Sequence, residues 1–170
     1  MNGVFSMVFA SMFMFASSAN ASVDALEAEA FVKRTTSQGI EQIINANVSH
    51  KEKDQRFEKL FNQALELDFI SQFVLGRYWK TATPQQKKDF VAAYRELNIK
   101  TWSKRFDEFK GRKFVFGGTN PSKSDGQIFV NSTVPMGDGQ APAKVIWRVK
   151  QTGNDMKIVD IVIENVSLAI

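Results

Sequence analysis

The hydrophobic pattern changes period once along the chain, and that single change limits the folds open to it. Over residues 23–109 the apolar side chains recur at three- and four-residue spacing, whereas from residue 113 onward they alternate every second residue between turn signals. The first spacing lines one side of a helix; the second lines one face of a strand. Helices followed by strands predict an α+β domain with helices packed on a four-stranded antiparallel sheet, because parallel strands would need helices between them. No internal repeat and no low-complexity linker divides the chain.

Within the helical half, local signals set the expected boundaries. The first helix is read from about residue 24 to residue 45, with Leu26, Ala30, Phe31, Ile40, Ile43 and Ile44 on one stripe and Thr35, Thr36, Ser37 and Gly39 as candidate breaks. Ser49-His50-Lys51-Glu52 has the form of a capping box: the hydroxyl accepts from the N–H of Glu52 while that carboxylate reaches back. His50 then lies in a polar first turn, solvated and not catalytic. Phe57, Leu60, Phe61, Ala64 and Leu65 follow at i, i+3, i+4, i+7 and i+8, a face that must be buried. A shorter helix from residue 68 ends at Gly76, and Thr83-Pro84-Gln85-Gln86 opens the next with an N-cap, a proline in the first turn and a capping glutamine. That helix is expected to reach Lys110. Its stripe of Phe90, Val91, Tyr94, Leu97, Trp102, Phe106 and Phe109 either covers a sheet or frames an apolar cavity, and periodicity alone favours the cover.

Four strands are expected, at 113–119, 127–134, 144–151 and 157–164. Ile128, Val130 and Val134 share a face, as do Val145, Trp147 and Val149; in the last strand Val159, Ile161 and Ile163 are placed on one side and Ile158, Asp160 and Val162 on the other. The result is a meander with one dry face.

Composition removes most chemistry. The chain has no Cys and a single His, so thiol catalysis, Cys-based zinc sites, disulfides and multi-His metal sites are absent. Asp107 and Glu108 are neighbours and face different directions on a helix. Asp160 interrupts an apolar strand, which invites an isomerase-type acid, but a position on the alternate face of an outer strand is expected to be solvated. No glycine-rich loop opens a helix and no carboxylate run has calcium-loop spacing. The 22 basic and 18 acidic residues leave a net charge of +4, with no alternation of cations and aromatics of the kind that stacks bases, so nucleic acid is not expected as a partner.

The first 21 residues carry no charge, and the apolar run at 4–16 passes into small residues ending Ala19-Asn20-Ala21. This reads as a secretory signal peptide over residues 1–21, cleaved before Ser22, and the run is shorter than the roughly 20 residues a spanning helix needs. Residues 22–170 form one domain.

The string FISQFVLGRYWKTATPQQKKDF at 69–90 resembles the signature segment of the MlaC family, the toluene-tolerance auxiliary proteins. The strings SKRFDEF at 103–109 and IVIENVSL at 161–168 are similar to the family's as well, in the same order. The resemblance implies a periplasmic phospholipid carrier of Gram-negative bacteria, not an enzyme. Such a carrier shuttles lipid between an outer-membrane lipoprotein complex and an inner-membrane ABC transporter with an MCE-domain ring, and so maintains outer-membrane lipid asymmetry. It implies a fold similar to nuclear-transport-factor-2-like domains, enclosing an apolar pocket, with no cofactor, phospholipid as cargo and a monomeric state. On this reading the residues that line the pocket are Phe73, Val74, Tyr94, Leu97, Trp102, Phe106, Val115, Ile128, Val130, Val145, Trp147, Val149, Ile161 and Ile163. A carrier of hopanoid-related or other lipid, an isomerase-type enzyme on the same fold, and a periplasmic module that binds partners without lipid are the alternatives. Relatives carry glycine where this chain has Asn165, and continue into a C-terminal helical segment past the equivalent of Ile170; without that segment part of the pocket is expected to stay open.

Overall fold

The computed structural model describes residues 17–104, 108, 110–122, 126–137, 139–167 and 169. The apolar leader expected at 4–16 and the site residue Phe106 lie outside them. Helix α1 (Ser17–Gly39) runs into one π turn (Ile40–Ile44) and is followed by α2 (His50–Ala64), α3 (Leu67–Leu75), α4 (Arg77–Thr81) and α5 (Pro84–Ser103). The strands are β1 (Val115–Pro121), β2 (Gln127–Val134), β3 (Ala143–Thr152), β4 (Asp155–Ile163) and the two-residue β5 (Val166–Ser167), antiparallel in the order β1-β2-β3-β4-β5. The fifth strand is an addition to the four expected.

Helix α1 passes straight through Thr35-Thr36-Ser37. Buried Thr36 donates its hydroxyl to the carbonyls of Val32 at 2.9 Å and Lys33 at 3.1 Å, so the side chain that competes with helix in the unfolded chain is satisfied by the helix itself. The buried stripe is Ala28, Val32 and Thr36 at i+4 steps, while Leu26, expected on it, is 70% exposed. Both predicted N-caps form: Ser49 Oγ accepts from Glu52 N at 3.2 Å, and Thr83 and Gln86 close a full capping box at 3.2 and 2.9 Å. The Glu52 carboxylate, expected to reach back, instead pairs with Arg56 one turn on, at 2.6 Å. His50 is exposed in the first turn of α2.

The dry face of the sheet consists of Ile128, Val130, Val134, Ala143, Val145, Trp147, Val149 and Ile158. The β3–β4 register slips between Arg148 and Val149, so that Ile158 lies opposite Val149 and Asp160 opposite Arg148. The extra residue in this bulge is Val159, and it moves Ile158 onto the dry face from the side its alternation gave it. Helix α1 covers this face, packing along β1 to β4 through Ala28 and Val32. The long helix α5, expected to be the cover, packs instead on α2 and α3, ends at Ser103 and has no fully buried residue. After α2, whose Ala64 joins the dry core, Leu65 bridges to Ile158 and Glu66 N donates to Ile158 O at 2.9 Å. The chain thus turns round the β4 edge, and Phe69 meets Lys150 on the opposite face, the ammonium 5.1 Å from the ring centre.

Candidate functional site

With small Ala28 and Val32 seated directly on the sheet, the α1–sheet layer is dry and closed at its centre. At one end it opens. Ala30, Phe31 and Arg34 of α1, Gln63 of α2, and Asp155, Met156 and Lys157 at the start of β4 bound a cleft of about 560 Å³. Phe31 and Met156 pack against the core cluster, so the floor of the cleft is continuous with the dry face. Its rim is charged on both sides, with Glu27 and Asp155 against Arg34 and Lys157, and Lys157 Nζ is held by the carbonyl of Gln63 at 2.6 Å. Of its nine lining residues only Ala30, Phe31 and Met156 are apolar, so the cleft is a mixed one, with apolar side chains at its floor and polar or charged groups around them.

The predicted site residues fall into groups. Ile128, Val130, Val145, Trp147 and Val149 are buried side by side under α1, and Ile161 and Ile163 are half-buried against them. Trp147 is anchored there: its Nε1 donates to Ser132 Oγ at 2.9 Å, that hydroxyl donates to Val145 O at 3.2 Å, and the Phe114 ring stands edge-on to it at 5.6 Å. The helix stripe that Trp147 was expected to meet is elsewhere. Tyr94 and Trp102 are half-buried on the inward side of α5, beside α2 and α3. Leu97, Val115, Phe73 and Val74 are exposed. Residues packed in or against this core that were not among the expected site residues are Ala28, Val32, Phe31, Phe114, Phe116 and Met156, of which Phe31 was expected only as part of the first helix's apolar stripe. The i, i+4 spacing of Ala28 and Val32 was the available signal, masked by bulkier neighbours on the adjacent stripe.

The opposite face of the sheet holds a polar knot. Asp160, expected in solvent, is 3% exposed; its two oxygens each lie 2.9 Å from Ser167 Oγ and one accepts from Arg148 Nη1 at 3.3 Å. Arg148 Nε donates to Gln127 Oε1 at 3.0 Å. Strand β5 is what buries the acid, by bringing Ser167 back beside β4. Burial pushes the nearby Tyr94 phenol above its ordinary pKa; a hydrogen bond with the Asn98 side chain works against the rise and the Asp160 charge adds to it. Among the described residues no group of three or more His, Asp or Glu is placed to hold a metal.

The family model of the MlaC protein matches residues 33–170, from α1 to the last strand. The chain belongs to the MlaC family. A phospholipid-binding protein from Ralstonia solanacearum, solved in complex with a phospholipid at 1.53 Å resolution, has the same fold: the TM-score is 0.71 at 23% identity, over 84% of this chain and 80% of that one. Asn165 lies in the turn between β4 and β5. Glu164 and Asn165 have φ of +48° and +67°, the left-handed region that suits glycine, and asparagine is among the few other residues that enter it readily. Glu164 closes the same turn, its N donating to Lys144 O at 3.1 Å and its carboxylate accepting from Lys144 N.

Proposed function

We propose that this protein binds a phospholipid with its acyl chains between α1 and the sheet, entering through the cleft beside Phe31 and Met156. The observation that carries the reading is the cleft whose floor runs into the dry face, in a chain of the MlaC family. On it, Ile128, Val130, Val145, Trp147, Val149, Ile161 and Ile163 form the sheet wall of the cargo site, reached as α1 lifts. The head group stays at the mouth, in water, beside Arg34 and Lys157.

A shuttle follows from the energetics. With each buried methylene worth about 0.8 kcal/mol, two acyl chains of roughly 30 methylenes resist exposure to water by about 20–25 kcal/mol. Cargo therefore does not leave into water; it is handed over while the carrier is docked. We propose the periplasm as the site of action, after removal of residues 1–21, between an outer-membrane lipoprotein complex and an inner-membrane ABC transporter carrying an MCE ring. The protein acts as a carrier and not as an enzyme: Asp160, the one buried carboxylate among the described residues, already accepts from Arg148 and Ser167.

Mass spectrometry of organic extracts from the purified protein tests the reading. A stoichiometric phospholipid is expected; an empty protein, or a hopanoid-type lipid alone, rejects phospholipid as cargo. Phe31→Glu at the mouth is expected to lower lipid content in a protein that still folds by circular dichroism, with a lowered melting temperature because the Phe31 ring also packs against the core. N-terminal sequencing of the cell fraction is expected to give Ser22, and a membrane-retained chain starting at Met1 counts against export.

A further inference from the structure

Residues 69–88, the corner formed by most of α3, by α4 and by the first turn of α5, contain Arg77, Lys80, Lys87 and Lys88 and no Asp or Glu, with Asp68 and Asp89 at the two ends of the segment.

The corner is built by Gly76, whose φ of +52° and ψ of −122° stop α3 and turn the chain into α4. L side chains avoid that conformation, so the break depends on glycine. On either side of it stand large apolar groups in solvent, with Phe73 49%, Val74 38% and Tyr78 59% exposed. The cations are not consumed by acids. The Arg77 guanidinium lies 4.9 Å from the centre of the Tyr78 ring and donates to its hydroxyl at 2.9 Å, and Lys87 Nζ lies 5.2 Å from the centre of the Trp79 ring. Among the described residues none of the four is in an ion pair.

We propose that this corner is a membrane-docking patch whose occupant is an anionic lipid surface. Phe73, Val74 and Tyr78 enter the interfacial layer and the four cations meet lipid phosphates. Amphipathic Tyr and Trp backed by Lys and Arg are the composition of residues that settle at the head-group level of a bilayer, and basic residues there are drawn by negative surface charge. Phe73, Val74 and Tyr78 line neither the cargo cleft nor the smaller cleft bordered by Phe69, Gln72 and Trp79 of the same corner, so these exposed apolar side chains face solvent and are available to a lipid surface. The inference goes beyond cargo binding, since the patch lies on α3 to α5 and the cargo cleft on α1 and the β3–β4 hairpin.

Flotation of the purified protein with vesicles tests it. Protein is expected to float with vesicles of phosphatidylglycerol in phosphatidylcholine, to float poorly with phosphatidylcholine alone, and to be released by salt. Lys80 and Lys88 are exposed and make no hydrogen bond or ion pair among the described residues, so Lys80→Gln/Lys88→Gln is expected to stay folded by circular dichroism. Its partition should fall roughly fivefold per lysine removed, about 25-fold in all. Because the chain has no native Cys, an environment-sensitive fluorophore on Phe73→Cys reports entry into the interface and should shift to the blue only with anionic vesicles. Equal flotation with both vesicle types, an unaffected lysine variant, an unshifted fluorophore, or binding that requires a membrane protein in the vesicles would each overturn the proposal. None of these readouts depends on whether lipid is found in the cleft.

Discussion

Trp147 gives the most direct test of how the dry face is held. Its indole N–H donates to Ser132 within the hydrophobic layer under α1, and Ser132 passes the chain on to Val145 O. Trp147→Phe removes that hydrogen bond, worth about 0.5–1.5 kcal/mol, but leaves the serine satisfied through Val145. It also leaves unfilled volume against Phe114, at about 1–2 kcal/mol for a buried truncation of this size. The sum is about 1.5–3.5 kcal/mol. At about 2–4 °C per kcal/mol for a chain of this length, the melting temperature should fall by about 3–14 °C. Ser132→Ala instead strands the indole N–H in an apolar layer and should cost about 1–3 kcal/mol. In the double variant the two losses share one bond, so urea unfolding should show a coupling of about 1 kcal/mol. Strict additivity, or a Trp147→Phe cost below about 0.5 kcal/mol, would refute the closed layer. Extracted lipid sharpens the functional side: Trp147→Phe is expected to retain cargo, whereas Trp147→Arg, which puts a charge where water is absent, should lose it. A folded Trp147→Arg protein with wild-type lipid content would show that this face is not the cargo wall.

Asp160→Asn should destabilise by about 2–4 kcal/mol in urea unfolding, close to the cost of removing one partner of a buried ion pair, since it leaves Arg148 without a charge partner on the sheet. Thr83→Ala should cost about 1 kcal/mol by loss of the capping box, read as a melting shift of about 2–4 °C. Tyr94 titrates above its unfolded value in the folded state, so its contribution is intact below the unfolded pKa, near 10, and is lost as pH rises through the folded one. Wild type should therefore lose stability faster than Tyr94→Phe above about pH 10, and equal slopes in denaturant melts would contradict this. Asn165→Gly should be neutral or slightly stabilising, while Asn165→Val, forced to positive φ, should cost about 1–2 kcal/mol.

What the sequence determined by itself is what depends on neighbours a few residues away. Strands β2 and β3 and the faces of their side chains follow from two-residue alternation, and the starts of α2 and α5 from Ser49 and Thr83, because pleat and capping are local geometry. The family segment at 69–90 was legible for the same reason, as a contiguous string. Tertiary structure decided the rest. Which helix covers the sheet could not be read from amphipathicity: α1 and α5 both present apolar stripes, and the slim pair Ala28 and Val32 approaches the sheet closely enough to exclude water while the aromatic stripe of α5 is left beside α2 and α3. Ile158 changed faces because the bulge at Val159 exists only in pairing with β3. Asp160 became a buried, partnered acid because a two-residue strand returns from a left-handed turn to place Ser167 beside it, a contact that no periodicity in β4 encodes. The cleft beside Phe31 and Met156 joins residues more than a hundred positions apart, which no local pattern brings together.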